Sequence, residues 1–176
     1  MAENGENQPR RCPGEKYDIT LPLCRARQAN HYPKCLLCEH SGHSSPEGPV
    51  TDPEINTKIF RSASISGRVP SEINEYSMRK IGTATAQYLR ANAGGSGRMA
   101  VGWDMRESSR NLARIFAEGL NAGGMHAGLV GSCSSEMLRY ALSQTGFGCA
   151  AFITACHAGA DINGLRIYAQ NGVPLT

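Results

Sequence analysis

The 176-residue chain lacks several features that mark whole classes of protein. No apolar run approaches the length of a membrane-spanning helix, so no membrane partner is expected. Residues 1–11 are polar and contain no apolar core of a secretory leader. The implied setting is cytoplasmic. Charge of one sign is also scarce. The net charge is +3, and the Arg10-Arg11 pair is short and has no interleaved aromatics, which argues against nucleic acid. No segment repeats at a fixed period. What remains is an ordinary globular composition, with 40% hydrophobic and 19% charged residues.

Cysteine is abundant and unevenly placed. Cys12, Cys24, Cys35 and Cys38 crowd the first quarter, whereas Cys133, Cys149 and Cys156 are scattered. In a cytoplasmic chain such usage points to metal binding or free thiols before disulfides. Cys35-x-x-Cys38 has the spacing that lets two thiolates converge on one tetrahedral ion. Cys12 and Cys24 complete a four-cysteine set, with His31, His40 or His43 as substitutes. About 35 residues with few large apolar groups do not fold by burial alone. Bound Zn²⁺ would supply the missing stabilisation, as a structural ion with no open position. Free cysteines, a disulfide pair and an iron–sulfur cluster are the alternatives.

A Ser/Gly/Pro-rich stretch then reads as a linker, which gives a cysteine-rich module over 1–44, a linker over 45–57 and a second domain over 58–176. In that domain strand and helix patterns alternate. Strands are expected at 58–61, 99–103, 127–130, 150–153 and 165–168. Helices are expected from Pro70 to about Ala91, with Ile73, Ile81, Ala84 and Tyr88 on one face, from Ser108 or Ser109, and from Ser134 to about Gln144. The pattern predicts a three-layer α/β/α domain with a mainly parallel sheet. Functional loops in such sheets follow the carboxyl ends of strands, here at Asp104, Gly131 and Thr154.

Three motifs in order carry a family resemblance over about residues 59–170. Phe60-Arg61 through Gly67-Arg68-Val69-Pro70 is similar to F-R-x-Y-D-I-R-G-x-V. Val101-Gly102-Trp103-Asp104-Met105-Arg106-Glu107-Ser108-Ser109 is similar to V-G-x-D-x-R-x-S-S. Thr154-Ala155-Cys156-His157, followed by Asn163-Gly164-Leu165-Arg166, is similar to T-A-S-H-N-P…N-G-F-K. Together they resemble the first domain of the α-D-phosphohexomutases, the phosphomannomutase and phosphoglucomutase family. The resemblance implies intramolecular phosphotransfer on hexose phosphates. It also implies Cys156 at the phosphoserine position with His157 beside it as catalytic candidates, and Arg61, Arg106 and Arg166 as phosphate-binding candidates.

Departures fall at functional positions. The family's Tyr-Asp is Ala63-Ser64, its next Arg is Ser66, its Asn is Ala158, its first Pro is Gly159 and its Lys is Arg166. Asp104, Arg106, Ser108, Ser109, His157, Asn163 and Gly164 are retained. The Asp104–Arg106 turn has two readings: a phosphate at the start of a helix, or an Asp–Arg pair shaping the loop with a serine cap.

The family's Mg²⁺ comes from a D-x-D-x-D loop in a further domain. Only four aspartates occur here, widely spaced, so Mg²⁺ requires further domains. The resemblance thus implies a mutase first domain that is inactive alone, partnered by a hexose phosphate and by missing mutase domains or a protein. A non-catalytic binding module with a zinc-stapled amino terminus is the alternative. A reactive or redox thiol at Cys156 is a third reading.

Overall fold

The computed structural model describes residues 10–13, 15–29, 34–35, 38, 40, 54–92 and 97–175. The chain divides into two compact units, Met1–Ile55 and Asn56–Thr176. Residues 45–53 of the expected linker, together with His31 and His43, lie outside the described residues. No described helix is long and apolar enough to cross a membrane.

In the first unit Arg10 and Ile19 exchange backbone hydrogen bonds of 3.0 and 2.6 Å as an antiparallel bridge. Helix α1, Leu21–Ala29, follows. Pro22 sits in its first turn, where a missing N–H costs nothing. Its buried face carries Leu23, Cys24, Ala26 and Arg27.

The second unit is built on a six-stranded sheet in the order β1-β2-β6-β5-β3-β4. The strands are β1 Phe60–Arg61, β2 Ser64–Arg68, β3 Arg98–Trp103, β4 His126–Ser132, β5 Cys149–Ile153 and β6 Ile162–Ala169. Helices α2 Glu75–Asn92, α3 Ser109–Ala122 and α4 Ser135–Gln144 connect them. β3 lies between β4 and β5, parallel to both. The chain therefore moves outward through α3 and back through α4. Right-handed crossovers in opposite directions put these helices on opposite faces, which makes the three layers.

The sheet is mixed and not mainly parallel. β6 is antiparallel to β5, β2 to β6 and β1 to β2. The reason is connection length: residues 154–161 are too few for a helical crossover, so the chain turns straight back. A second correction concerns β2, which sequence pattern did not reveal. Its Ser-Ile-Ser-Gly-Arg run holds one large apolar residue, and the strand is specified by pairing on both sides. The strand expected at 58–61 shrinks to a 3₁₀ turn, Thr57–Ile59, and two strand residues.

Helix α2 begins at Glu75, later than expected, because Asn74 caps it. The Asn74 side chain accepts from the Ser77 N–H at 3.1 Å, and the Ser77 hydroxyl accepts from the Asn74 N–H at 2.9 Å, a reciprocal cap. Its buried face is Met78, Ile81, Gly82, Ala86 and Leu89; Ala84 and Tyr88 face outward, contrary to expectation. The cause is the α2–α3 crossing, which requires glycine at the contact. A Cβ on Gly82 would fall on the Phe116 carbonyl oxygen, and one on Gly119 on that of Arg79. The Thr83 hydroxyl donates to the Gly119 carbonyl at 3.1 Å across this contact. Under α4 lies a core of Ala100, Leu138, Leu142, Ala150, Phe152 and Tyr168.

Gly82→Ala or Gly119→Ala should destabilise the second unit by about 1–3 kcal/mol in urea unfolding, despite a gain of about 1 kcal/mol in helix propensity, because backbone atoms block the methyl. At Gly146 an added Cβ meets only Arg98, at 3.6 Å. Gly146→Ala should therefore change stability by less than about 0.5 kcal/mol.

Candidate functional site

Three strand ends converge. Asp104, leaving β3, donates its backbone N–H to the Ile153 carbonyl of β5 at 3.1 Å. Thr154, leaving β5, donates its N–H to the Gly164 carbonyl of β6 at 3.0 Å. The Asp104 carboxylate joins these ends. Oδ1 accepts from the Arg106 amide at 3.1 Å and the Ser109 hydroxyl at 2.5 Å. Oδ2 accepts from the Thr154 hydroxyl at 2.8 Å and Arg106 Nε at 3.2 Å. Burial pushes this carboxyl up, but the Ser109 and Thr154 hydroxyls, the Arg106 amide and the Arg106 charge outweigh it and hold it below the usual carboxylate range.

Asn163, fully buried, extends the network. Its amide donates to the hydroxyls of Ser108 and Ser109 at 2.8 and 2.9 Å. Ser108 thus occupies the start of α3 without capping it through its side chain. This corrects the serine-cap expectation: the hydroxyl is spent on Asn163. Ser134 does cap α4; its hydroxyl accepts from the Met137 N–H at 3.2 Å.

Arg106 holds the loop that follows β5. Nη1 donates to the carbonyls of Gly159 at 2.6 Å and Ile162 at 3.2 Å; Nη2 donates to those of Cys156 at 3.0 Å and Ala158 at 2.8 Å. With Nε on Asp104, all five guanidinium donors are occupied. Arg106 is therefore a clamp on the loop. The resemblance implies a phosphate-binding role for it, and the donors that such a role would use are those that hold the loop.

Within this loop the Cys156 N–H donates to the Thr154 hydroxyl at 2.9 Å, and Cys156 adopts φ +55°. A left-handed residue with a side chain costs about 1–2 kcal/mol, and the surrounding bonds hold it there. The result presents the Cys156 side chain to solvent, with His157 exposed beside it. The other two scattered thiols are of a different kind. Burial pushes Cys149 up to about 11 and also raises Cys133, as expected of inert, structural cysteines.

Strand register places Arg61 and Arg166 on one face of the sheet. Arg61 is paired with Ser64 on β2, and Arg166 with Phe152, which belongs to the core under α4. Residues two apart share a face. Ser64, Ser66 and Arg68 therefore line the same side of β2, beside Ile162, Gly164 and Arg166 of β6. Arg166 Nε is buried without a hydrogen-bond partner. Arg61 and Arg68 are exposed. Arg68 is paired with Ile162 at the loop end, and Arg166 lies further along β6, opposite Phe152 near the end of β5. Arg68 was missed in the sequence because β2 was missed; alternation from Ser64 through Ser66 would have found it.

The residues present do not fit Mg²⁺. Both Asp104 oxygens are engaged, and among the described residues no group of three or more His, Cys, Asp or Glu is arranged to hold a metal ion. A cavity of about 560 Å³ lies at the opposite end of the strands, lined by Leu89, Arg90, Arg98, Met125, Cys149 and Leu175, remote from the loop.

In the first unit Cys12, Cys24 and Cys38 are buried and Cys35 is half-buried. Burial raises the Cys35 thiol first, and the neighbouring sulfurs of Cys12, Cys24 and Cys38 raise it further. All four expected ligands are among the described residues, and no three of them are arranged to hold an ion.

The Asp104 carboxyl titrates lower in the folded chain than its unfolded value of about 3.9, so its contribution is present above that pH and lost as pH falls through the folded value. Asp104→Asn should be less stable at neutral pH and lose less stability between about pH 4 and pH 2 than the wild type. Unfolding by urea across that range measures it; parallel acid limbs would contradict the assignment.

The family model of the phosphoglucomutase/phosphomannomutase α/β/α domain I matches residues 57–176. A phosphohexose mutase of Xanthomonas campestris pv. campestris is 30% identical over 117 residues, which is 66% of this chain and 25% of that protein. A phosphoglucosamine mutase of Synechococcus elongatus is 29% identical over 117 residues, with the same coverage. The crystal structure of a phosphoglucomutase/phosphomannomutase family protein from Burkholderia thailandensis superposes with a TM-score of 0.62 at 25% identity, over 68% of this chain and 27% of that one. The chain thus spans about a quarter of the length of the curated relatives it matches. With its three motifs on the strand ends of a matching fold, the chain belongs to the phosphoglucomutase/phosphomannomutase family through its α/β/α domain I.

Proposed function

We propose that residues 57–176 are the hexose-phosphate-binding first domain of a phosphomannomutase- or phosphoglucomutase-type protein, and that the isolated 176-residue chain does not complete the phosphoryl transfer. The observation that carries this reading is the loop itself. Its scaffold of Asp104, Arg106, Ser109, Thr154 and Asn163 is intact and presents the Cys156 thiol to solvent, with His157 exposed beside it. Phosphoryl transfer depends on positioning and on neutralising charge on the moving group. The loop supplies positioning. Arg61, Arg68 and Arg166 on the adjoining sheet face supply positive charge toward a phosphate. A sulfur ester suits a hard cation such as Mg²⁺ poorly, and the ligands for that cation belong to a further domain in this reading. The partners are therefore a hexose phosphate and the remaining mutase domains, or a protein that supplies them, in a cytoplasmic setting.

The test is an assay of the isolated chain on α-glucose 1-phosphate and mannose 1-phosphate, with Cys156→Ser alongside and binding followed by amide chemical shifts. No turnover is expected from either protein. Shifts are expected at the 154–162 loop and along β2 and β6, several-fold weaker in Arg166→Ala. Turnover by the wild-type chain would overturn inactivity, and the absence of shifts would favour a module that binds no sugar phosphate.

A further inference from the structure

The family match begins at residue 57 and leaves the amino-terminal unit unexplained. That unit has an unusual interior. Among its described residues the buried apolar side chains are Cys12, Ile19, Leu23, Cys24, Ala26 and Cys38. Three of the six are cysteines, and only Ile19 and Leu23 are large. Burying two such side chains contributes about 1.5–3 kcal/mol each. Fixing a backbone costs about 1–2 kcal/mol per residue. Surface ion pairs add little. Arg11–Asp18 at 2.7 Å is exposed, and Lys34–Glu15 at 2.6 Å is partly so. Among the described residues, half of the unit's buried apolar side chains are cysteines, so its described centre is made largely of sulfur.

The chain path converges on that centre from three directions. The turn at Cys12 is closed by the Glu15 N–H on the Cys12 carbonyl at 3.0 Å, and Glu15 is tied to Lys34, next to Cys35. Gln28, one turn after Cys24 on α1, donates to the Cys24 sulfur at 3.4 Å and to the His40 carbonyl at 3.0 Å, close in sequence to Cys38. The Cys38 N–H donates to the Cys35 carbonyl at 3.3 Å.

The groups aimed at the sulfurs are cationic. Arg27 Nη1 donates to Cys12 Sγ at 3.0 Å from a residue that is 3% exposed. Arg10 Nη1 donates to Cys24 Sγ at 3.9 Å. A neutral thiol is a weak acceptor, whereas a thiolate suits a guanidinium N–H. Four thiolates around a divalent ion carry a net charge of about −2, which two arginine donors offset as outer-shell partners of the ligands.

We propose that Cys12, Cys24, Cys35 and Cys38 form a closed, structural Zn²⁺ site that folds the amino-terminal unit, with Arg10, Arg27 and Gln28 as its outer shell. The sulfurs would draw in to about 2.3 Å from the ion. Four thiolates leave no open position, so the ion takes no part in chemistry on a substrate. Folding of the unit and metal binding become one equilibrium.

The test uses the full 176-residue chain purified from zinc-supplemented cells. Elemental analysis should give one zinc per chain. Chelation should release it, expose four additional thiols to alkylation, and collapse the amide dispersion of residues 10–40. Cys38→Ser should lower zinc content several-fold, whereas Cys133→Ser should leave it unchanged. Reconstitution with Co²⁺ should give the strong visible absorption of a tetrahedral thiolate site in the wild type and not in Cys38→Ser. A metal-free chain with the first unit ordered, disulfides among these four cysteines in non-reduced peptides, or iron in place of zinc would each overturn the proposal.

Discussion

The candidate site depends on one half-buried interaction, the pairing of Asp104 with Arg106. Parallel strands β3 and β5 end side by side, and the chain after β5 must turn back within a few residues to form β6. Such a turn leaves several carbonyls with no strand partner to receive them, and backbone carbonyls call for donors. Arg106 meets four of them at once, and Asp104 fixes the guanidinium plane while also collecting Thr154 and Ser109. The left-handed backbone at Cys156 persists because both sides of the residue are held, its N–H by Thr154 and its carbonyl by Arg106. Asn163 carries the same network into the start of β6 and α3.

The distribution of retained and altered residues follows from this. Asp104, Arg106, Ser108, Ser109 and Asn163 all serve the network, and each bond among them constrains the others. Of the positions that differ from the pattern the chain resembles, Ser64, Ser66 and Arg166 lie on the sheet face beside the loop and outside the network, whereas Ala158 and Gly159 enter it through backbone carbonyls alone. The frame of a mutase first domain is therefore intact, while the atom it presents is sulfur and the adjoining face carries a different set of polar side chains. Family membership rests on the frame; the proposed loss of independent turnover rests on the presented atom and the face.

Much of this was legible in the sequence, for physical reasons that differ by element. β5 is covered on both faces and reads as an unbroken apolar run, Cys149–Ile153. α3 shows its buried stripe in Leu112, Ile115, Phe116 and Leu120. β2 was illegible because its stability comes from neighbours on both sides and not from its own side chains. The antiparallel return into β6 was hidden because strand patterns do not encode direction. The buried face of α2 was misplaced because glycines, invisible to an apolar period, form its contact with α3. At the site, Asp104 and Arg106 were identified by type, and both a clamp and a phosphate site were open readings. The five donor directions of Arg106, which make the clamp, are not encoded in the sequence pattern.

The most direct measurement is amide hydrogen exchange in the loop of the wild type and of Arg106→Lys. The amides of Ala158, Ile162 and Val69, which bond to Ala155, Gly159 and Asp161, report on its closure. A lysine keeps the charge but cannot span four carbonyls. The account predicts protected amides in the wild type and protection lost by an order of magnitude or more in Arg106→Lys, with the amides of β3 and β5 unchanged. Equal protection in the two proteins would show that Arg106 is not what holds Cys156 in place.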